Sequence, residues 1–169
     1  MLDIVSATAA HLLSIERDPS QAVQLGIAAE MTPEAAEELC GDPASEAWAC
    51  FAAGRLVACC GLRAVLDGGH AVAWATLARG IGGAHLAVTR FVRSRVLQSS
   101  FARIEAVALA NDAEPIVAHF GDLDAQQLIE AVMVRPTREC RFAVLGGLKP
   151  AHVLRHYGGA THMLMERIR

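Results

Sequence analysis

The sequence predicts an α/β fold with a mostly antiparallel central sheet flanked by helices. Three observations support this prediction. Short apolar runs with the composition of strands alternate with segments of helical periodicity. Capping residues followed by proline mark two helix starts, at Asp18-Pro19 and Thr32-Pro33. Glycine-containing turns join two pairs of apolar runs, which is typical of antiparallel hairpins.

Length and composition indicate a globular protein. The chain has 169 residues, and we expect residues 1–169 to form a single domain. Hydrophobic residues make up 53% of it and charged residues 20%, and its formal net charge of −3 does not favour general nucleic-acid binding. No uncharged stretch approaches the roughly 18 residues of a membrane span, and the start of the chain lacks a signal-peptide pattern. We therefore expect a cytoplasmic protein without a membrane partner.

The first half of the chain contains helices, a hairpin and a third strand. LDIVSA is predicted to be a strand, and helices are predicted in TAAHLLSIER and after each proline-marked start, in SQAVQLGIAAE and EAAEELC. AWACFAAGRLVACCGLRAV predicts a hairpin that turns at residues 53–55, with its second arm ended by Asp67-Gly68-Gly69. HAVAWATLA is apolar at nearly every position, which predicts a strand covered on both faces.

The second half begins with a helix and a strand. Ala84, Val88, Val92 and Val96 recur at helical spacing, and ARIEAVALA then alternates like a strand. Residues 111–136 are predicted to form an insertion. NDAEPIVAHFGD is predicted to be loop with a turn of helix, and LDAQQLIEAVM to be a helix whose apolar side completes the core. Thr137 caps a short helix, and the last two strands turn at Tyr157-Gly158-Gly159.

Neither the cysteines nor the histidines indicate a metal site. The cysteines are odd in number and without C-x-x-C spacing, so we expect small, buried or half-buried apolar side chains, at Cys40, Cys50, Cys59, Cys60 and Cys140. His152 and His156 could bind a metal if PAHVLRH is a helix that starts at Pro150; if it is a strand, they share one face about 13 Å apart, too far to bind one ion. No metal is expected.

The glycine-rich segment RGIGGAH, residues 79–85, lies between a predicted buried strand and a predicted helix. Glycines there permit a sharp turn, and they also allow an anion to approach the free N–H groups of a helix start. A turn alone would explain them, but the position before a long helix favours a phosphate site.

At this point the chain resembles the GNAT family of acetyl-CoA-dependent N-acetyltransferases. RGIGGA fits the family's pyrophosphate pattern Q/R-x-x-G-x-G/A at all three specified positions, and it follows the fourth strand as in that family. AHLAVTRFVRSRV, ARIEAVAL, FAVLGGL and VLRHYGGATHMLMERI further resemble a divergent GNAT-like branch common in bacteriophages and prophages. The resemblance covers roughly the C-terminal two-thirds of the chain.

The resemblance implies a splayed sheet, acetyl-CoA as co-substrate and a primary amine, on a small molecule or a peptide, as acceptor. It implies that the loop residues hold the pyrophosphate, namely Arg79, Gly80, Ile81, Gly82, Gly83 and Ala84. The backbone of Ala75, Thr76 and Leu77 would pair with the pantetheine arm as an added strand pairs with a sheet edge. The insertion would shape or cover an acceptor pocket, or dock a partner.

Acetyl transfer to an amine also needs a base and an acid. Glu105 interrupts an apolar strand next to the expected cofactor strand, so it is either the base or a carboxylate paired with Arg103 or another arginine. The family's helix tyrosine falls on Ala143, and its neighbour Phe142 also lacks a hydroxyl group. Tyr157, the one tyrosine of the chain, is then the candidate acid, or it packs over the hairpin end.

The missing helix tyrosine leaves two further functions open. One is a noncatalytic structural or packaging component of a phage particle, which would place the chain in a virion with other virion proteins as partners. The other is a regulatory domain that binds acyl-CoA without turnover. Exposed sheet edges also allow a homodimer.

Overall fold

The structure, a computed structural model, describes residues 1–18, 21, 31–66 and 69–169. Over these residues the chain forms seven strands and six helices: β1 (Leu2–Ser6), α1 (Ala9–Ser14), α2 (Pro33–Cys40), β2 (Glu46–Ala52), β3 (Arg55–Leu66), β4 (His70–Leu77), α3 (Ala84–Gln98), β5 (Arg103–Leu109), α4 (Glu114–Phe120), α5 (Ala125–Met133), α6 (Arg138–Leu145), β6 (Lys149–Tyr157) and β7 (Ala160–Ile168). Apart from Gln21, the predicted helix at residues 20–30 lies outside the described part of the chain, as do the turn residues Asp67 and Gly68.

All of these strands belong to one sheet, in the order β1-β2-β3-β4-β5-β7-β6. Neighbouring strands are antiparallel except β4 and β5, which are parallel. A parallel pair needs a crossover connection, and α3 provides it. The predicted α/β fold with a mostly antiparallel sheet is therefore confirmed.

The sheet is splayed between its two parallel strands. β4 and β5 pair only where residues 70–72 face residues 103–105. On their outer sides both strands continue to pair, β4 with β3 as far as Leu77 and β5 with β7 as far as Leu109. Because the two strands separate while each keeps its other neighbour, a V-shaped cleft opens toward Leu77 and Leu109.

Helices cover the two faces of the sheet. On one, which we call the α1 face, Ala36 of α2 packs in a cluster with Ala49 and Cys59. On the other, the α3 face, Val88 of α3 packs in a cluster with Cys60. Because side chains alternate along a strand, each residue of β4 and β5 belongs to one of these two faces.

Polar side chains cap three of the helices. Thr32, Asp124 and Thr137 accept hydrogen bonds from the first-turn amides of α2, α5 and α6, so the predicted caps at Thr32 and Thr137 are confirmed. The Thr137 hydroxyl also donates to the carbonyl of Leu109 at 2.6 Å, which fixes α6 to the end of β5. The longest described helix, α3, has 15 residues and no side-chain cap. None of the described helices combines the length and apolar character that a membrane span requires.

Strand β4 is less buried than its apolar sequence predicts. Only Ala71 is fully buried, and the rest of the strand is half-buried. The reason is that β5 leaves β4 beyond Val72, so the second half of β4 has a neighbouring strand on one side only.

Residues 111–136, predicted to be an insertion, contain two helices, and Glu114–Phe120 form a helix of seven residues where the sequence predicts loop with a turn of helix. The amide of buried Ala113 donates to Thr161 Oγ1 at 3.2 Å, and Glu114 binds Arg155 through two bonds of 2.7 Å. These contacts with the final hairpin hold α4 in place. In α5, Ile129 and Val132 are buried, which confirms that this helix completes the core.

The cysteines behave as predicted. All five are free, with Cys40 half-buried and the others buried. Burial raises the pKa of the Cys59 thiol to about 12. Since the thiolate is the reactive form, such a cysteine acts as a small apolar side chain.

Candidate active site

The connection between β4 and α3 is an open loop shaped by glycine. Gly80 and Gly82 have φ angles of 66° and 52°, in the left-handed region that favours glycine. A Cβ atom built on Gly80, Gly82 or Gly83 would have no heavy atom within 4 Å. Ile81 lies between them and packs against the core, so one side chain anchors a loop that is otherwise bare backbone.

Four successive amides of this loop have no acceptor in the described part of the chain, those of Gly80, Ile81, Gly82 and Gly83. On either side the amides are occupied. Arg79 donates to the Glu16 carbonyl at 2.8 Å, and Ala84 donates to the Ile81 carbonyl at 3.1 Å. The loop therefore presents a run of free donors bounded by residues whose amides are already used.

The start of α3 favours an anion. No side chain caps it, and its first turn contains no acidic residue. Free N–H groups and the helix dipole give such an end a partial positive charge. The exposed side chain of Arg79 adds a full positive charge. The backbone carbonyl of Arg79 accepts a hydrogen bond from the Arg55 side chain at 2.6 Å. The predicted phosphate-binding loop thus has donors, space and charge in one place.

In an antiparallel pair, successive residues of a strand direct their backbone N–H and C=O groups to opposite sides. This alternation shows which residues of β4 present these groups to the cleft. The amide of Ala78 donates to Val57 next to β3. Even-numbered residues such as Thr76 therefore direct their backbone groups to β3, and odd-numbered residues direct theirs to the cleft. Of the three residues predicted to pair with an added strand, Ala75 and Leu77 face the cleft and Thr76 does not.

Leu77 differs from Ala75 because other parts of the chain already use its backbone. Its carbonyl accepts from the Asp18 amide at 3.0 Å, and its amide donates to Gln21 Oε1 at 2.8 Å. Within the described ranges Ala75 has no paired residue on its cleft side, since the ladder between β4 and β5 ends at Val72. The free edge is thus shorter than the sequence predicts.

A charged cluster lies on the α1 face where β4 and β5 separate. Glu105 forms an ion pair with Arg103 at 2.6 Å, and Arg103 also binds Glu166 at 3.0 Å. The second oxygen of Glu105 lies 3.1 Å from Nε2 of His70, close but not aligned as a hydrogen bond. The side chain of Glu105 is 19% exposed. The pairing with Arg103 that the sequence left open is present, and the carboxylate lies with His70 and Arg103 at the paired end of β4 and β5.

Tyr157 and Glu105 are not brought together. The ring of Tyr157 contacts the ring of His162 with centroids 5.4 Å apart, and His162 pairs with Leu109 at the end of β5. Glu105 pairs with Glu166, four positions along β7 from His162. That spacing corresponds to about 13 Å along a strand. Tyr157 thus lies at the same end of the sheet as Leu109 but on β6, two strands from β5, whereas Glu105 lies at the closed end of the cleft.

Helix α6 has no hydroxyl group at the position where the resemblance expects one. Phe142 stands next to Ala143, and its ring contacts the ring of His85 with centroids 5.5 Å apart. His85 is exposed in the first turn of α3. This contact brings α6 beside the loop, although neither side chain was predicted to meet the other.

The sequence reasoning missed two side chains, His70 and Gln21. His70 lies next to the site because it pairs with Arg103 of β5, and Gln21 because its side chain binds Leu77 of β4. No local motif marks either residue. The 15-residue helix between β4 and β5 is the signal that could have found His70, because such a crossover makes the two strands parallel and sets their starts side by side. No group of three or more His, Cys, Asp or Glu in the described ranges is placed to bind a metal ion.

Comparison of the sequence with known protein families and with curated proteins gives no match. Solved structures do match. An aminoglycoside 6'-N-acetyltransferase from Enterococcus faecium has 14% identity and a TM-score of 0.66, over 98% of this chain and 96% of that one. A GNAT-like decarboxylase in complex with isobutyryl-CoA has 11% identity and a TM-score of 0.67, over 98% of each chain. A spermidine N-acetyltransferase from Vibrio cholerae, in complex with CoA and spermine, has 12% identity and a TM-score of 0.59, over 99% of this chain and 95% of that one.

These likenesses establish the fold. The chain has the GNAT fold, a mixed α/β architecture with a splayed seven-stranded sheet and six helices over the described residues. The loop with four free amides lies between β4 and α3, at the open end of the splay. Fold alone does not decide the reaction, and the neighbours themselves include acetyltransferases and a decarboxylase.

The loop geometry predicts unequal effects of alanine at its glycines. Gly80→Ala and Gly82→Ala should each lower the free energy of unfolding by about 1 kcal/mol, because a Cβ is disfavoured at positive φ. Gly83 has a φ of −63°, so Gly83→Ala is the matched control and should change stability by less than about 0.5 kcal/mol. Urea denaturation of the three variants measures this. Equal effects at all three positions would contradict the described loop.

Proposed function

We propose that this chain is an acetyl-CoA-dependent N-acetyltransferase that acts on a primary amine. The observation that carries the proposal is the run of four amides that find no acceptor among the described residues, at the uncapped start of α3 and beside the part of the β4 edge that no described strand pairs with. The GNAT fold supports it, since two of the matching structures are acetyltransferases of amine compounds by their names.

The residues present fit the cofactor. The amides of residues 80–83 have the space and the donors to hold a pyrophosphate, and the Arg79 guanidinium can add a charge-assisted contact. Ala75 offers a backbone edge to the pantetheine arm. When bound, acetyl-CoA supplies an acetyl group activated as a thioester.

Glu105 is the proposed proton acceptor for the attacking amine. An alkyl ammonium with a pKa near 10.4 is almost fully protonated at neutral pH, so it must lose a proton before it attacks. Glu105 stands where the two strands separate, with the His70 imidazole as a neighbouring group that can accept or donate a proton. Arg103 holds one carboxylate oxygen, which fixes the direction of the other.

The proton for the departing thiolate has two proposed sources. Tyr157 carries a hydroxyl group and is 46% exposed, but it stands about 13 Å along the strands from Glu105, so as the acid it would act through bridging water. Water is the other source, because Phe142 and Ala143 offer no hydroxyl group from α6. If the chain is instead a structural component of a phage particle, it needs neither proton donor nor cofactor.

Acetyl-CoA should stabilise the protein against heat. At about one hundred times its dissociation constant, a ligand of the native state adds about 2.7 kcal/mol, or roughly 5 to 10 °C of melting temperature for a chain of this size. Gly83→Glu places a carboxylate in the loop without backbone strain, and it should weaken binding at least about tenfold by repelling the pyrophosphate.

Gly83→Gln is the control for this experiment, because it adds the same bulk without the charge, and it should retain most of the shift. An unchanged melting temperature of the unsubstituted protein at millimolar acetyl-CoA would reject the proposed function and favour the structural one. Stabilisation without thiol release across a panel of amines would favour a domain that binds acyl-CoA without turnover.

Glu105→Gln should lower kcat by about 10² to 10⁴, the usual contribution of a general base. Binding of acetyl-CoA should be unchanged, because Glu105 stands at the closed end of the cleft and the loop at its open end. Glu166→Gln is the matched control, since Glu166 shares Arg103 with Glu105 but lies on β7. Steady-state thiol release with a saturating amine measures both variants. Similar losses in the two would mean that the cluster only stabilises the fold.

A further inference from the structure

The open end of the β4 edge is occupied by the protein itself. Glu16 accepts from the Arg79 amide at 2.8 Å, and the Asp18 amide donates to the Leu77 carbonyl at 3.0 Å. Between them Arg17 and Ala78 form an antiparallel bridge. Residues 16–18 thus lie beside residues 77–79 as a short antiparallel partner on the cleft side.

The last bond of this contact departs from a regular ladder. In an antiparallel ladder, a residue that donates its amide to Leu77 also accepts from the Leu77 amide through its own carbonyl. Here the Leu77 amide donates instead to the side chain of Gln21, with 2.8 Å between N and Oε1. A side-chain amide has therefore taken the position of a strand carbonyl.

That position is also where the proposed cofactor arm would pair. Ala75 and Leu77 are successive cleft-facing residues of one edge, and among the described residues none pairs with Ala75 there. A pantetheine arm contains secondary amides, whose carbonyl groups are the same kind of acceptor as Gln21 Oε1. An arm that pairs with both residues must displace the Gln21 side chain, whereas the backbone bond to Asp18 involves the other group of Leu77.

We infer that Gln21 is an internal substitute for the cofactor's amide: it binds the Leu77 amide in the free protein and is displaced when the pantetheine arm pairs with β4. The inference rests on the proposed function. It assigns a competing role to a residue outside the phosphate loop, and it explains how a half-buried strand edge stays hydrogen-bonded without ligand. Exchange of one amide acceptor for another needs no change elsewhere in the sheet.

Removal of Gln21 should strengthen the binding of CoA. In Gln21→Ala the free protein loses the hydrogen bond to the Leu77 amide, so CoA binding no longer has to break it. The dissociation constant for CoA should therefore decrease about two- to tenfold. Gln21→Glu should do the opposite, because a carboxylate is a stronger acceptor for the Leu77 amide. Gln98→Ala, at the exposed far end of α3, is the matched glutamine control and should have no effect.

Two ligands separate this competition from phosphate binding. CoA carries the pantetheine arm, and adenosine 3'-phosphate 5'-diphosphate carries the nucleotide and both phosphates of the pyrophosphate without it. Isothermal titration should show tighter CoA binding by Gln21→Ala and unchanged binding of this nucleotide. In hydrogen exchange, the Leu77 amide should be protected in the free unsubstituted protein, exposed in free Gln21→Ala, and protected again in both when CoA is bound.

Each other outcome overturns the inference. If CoA binds with the same affinity, or more weakly, in Gln21→Ala, Gln21 does not compete with the cofactor, although the proposed function stands. If Gln21→Ala binds both ligands more tightly, the effect is not specific to the pantetheine arm. If the unsubstituted protein binds neither ligand, the proposed function fails, and this inference fails with it.

Discussion

The short parallel pairing of β4 and β5 determines what this fold can bind. Three residue pairs hold the two strands together, and beyond Val72 and Glu105 each strand keeps only its antiparallel neighbour. Backbone groups that face such a gap need partners, because a buried N–H or C=O group without one is costly. The chain meets this need at the open end of the cleft on both sides. Asp18 and Gln21 bind Leu77 on β4, and Thr137 binds the carbonyl of Leu109 on β5.

The start of α3 lacks a stabilising contact that the capped helices have, and its amides stay available to a ligand for that reason. Caps at Thr32, Asp124 and Thr137 each satisfy a first-turn amide, and such a cap contributes about 0.5 to 2 kcal/mol. The longest described helix lacks this stabilisation and begins with glycines that lose much conformational freedom on folding. Its stability comes instead from the buried side chains of Val88 and Val96. Donors left free in this way remain available to an external anion.

How far the sequence predicts the structure depends on the range of the interactions involved. The two hairpins, the caps at Thr32 and Thr137 and the loop at residues 79–84 follow from local patterns, and the structure has all of them. Helix α4 was missed because its support comes from Thr161 and Arg155, more than 40 residues away. The cluster around Glu105 and the contact between Gln21 and Leu77 depend on strand register and on a chain crossing 56 residues apart. The crossover helix α3 indicates that β4 and β5 are parallel, but no local pattern gives their register or brings Gln21 to Leu77.

The central claim is that the amides of residues 80–83 bind the pyrophosphate of a CoA thioester. The most direct test is an NMR titration of the ¹⁵N-labelled protein with acetyl-CoA, which follows the amide signal of each residue. The account predicts that the signals of Gly80, Ile81, Gly82 and Gly83 shift together with one dissociation constant, and more than those of Gly121 or Gly159 on distant turns. Saturation with acetyl-CoA that leaves these four signals in place would contradict it.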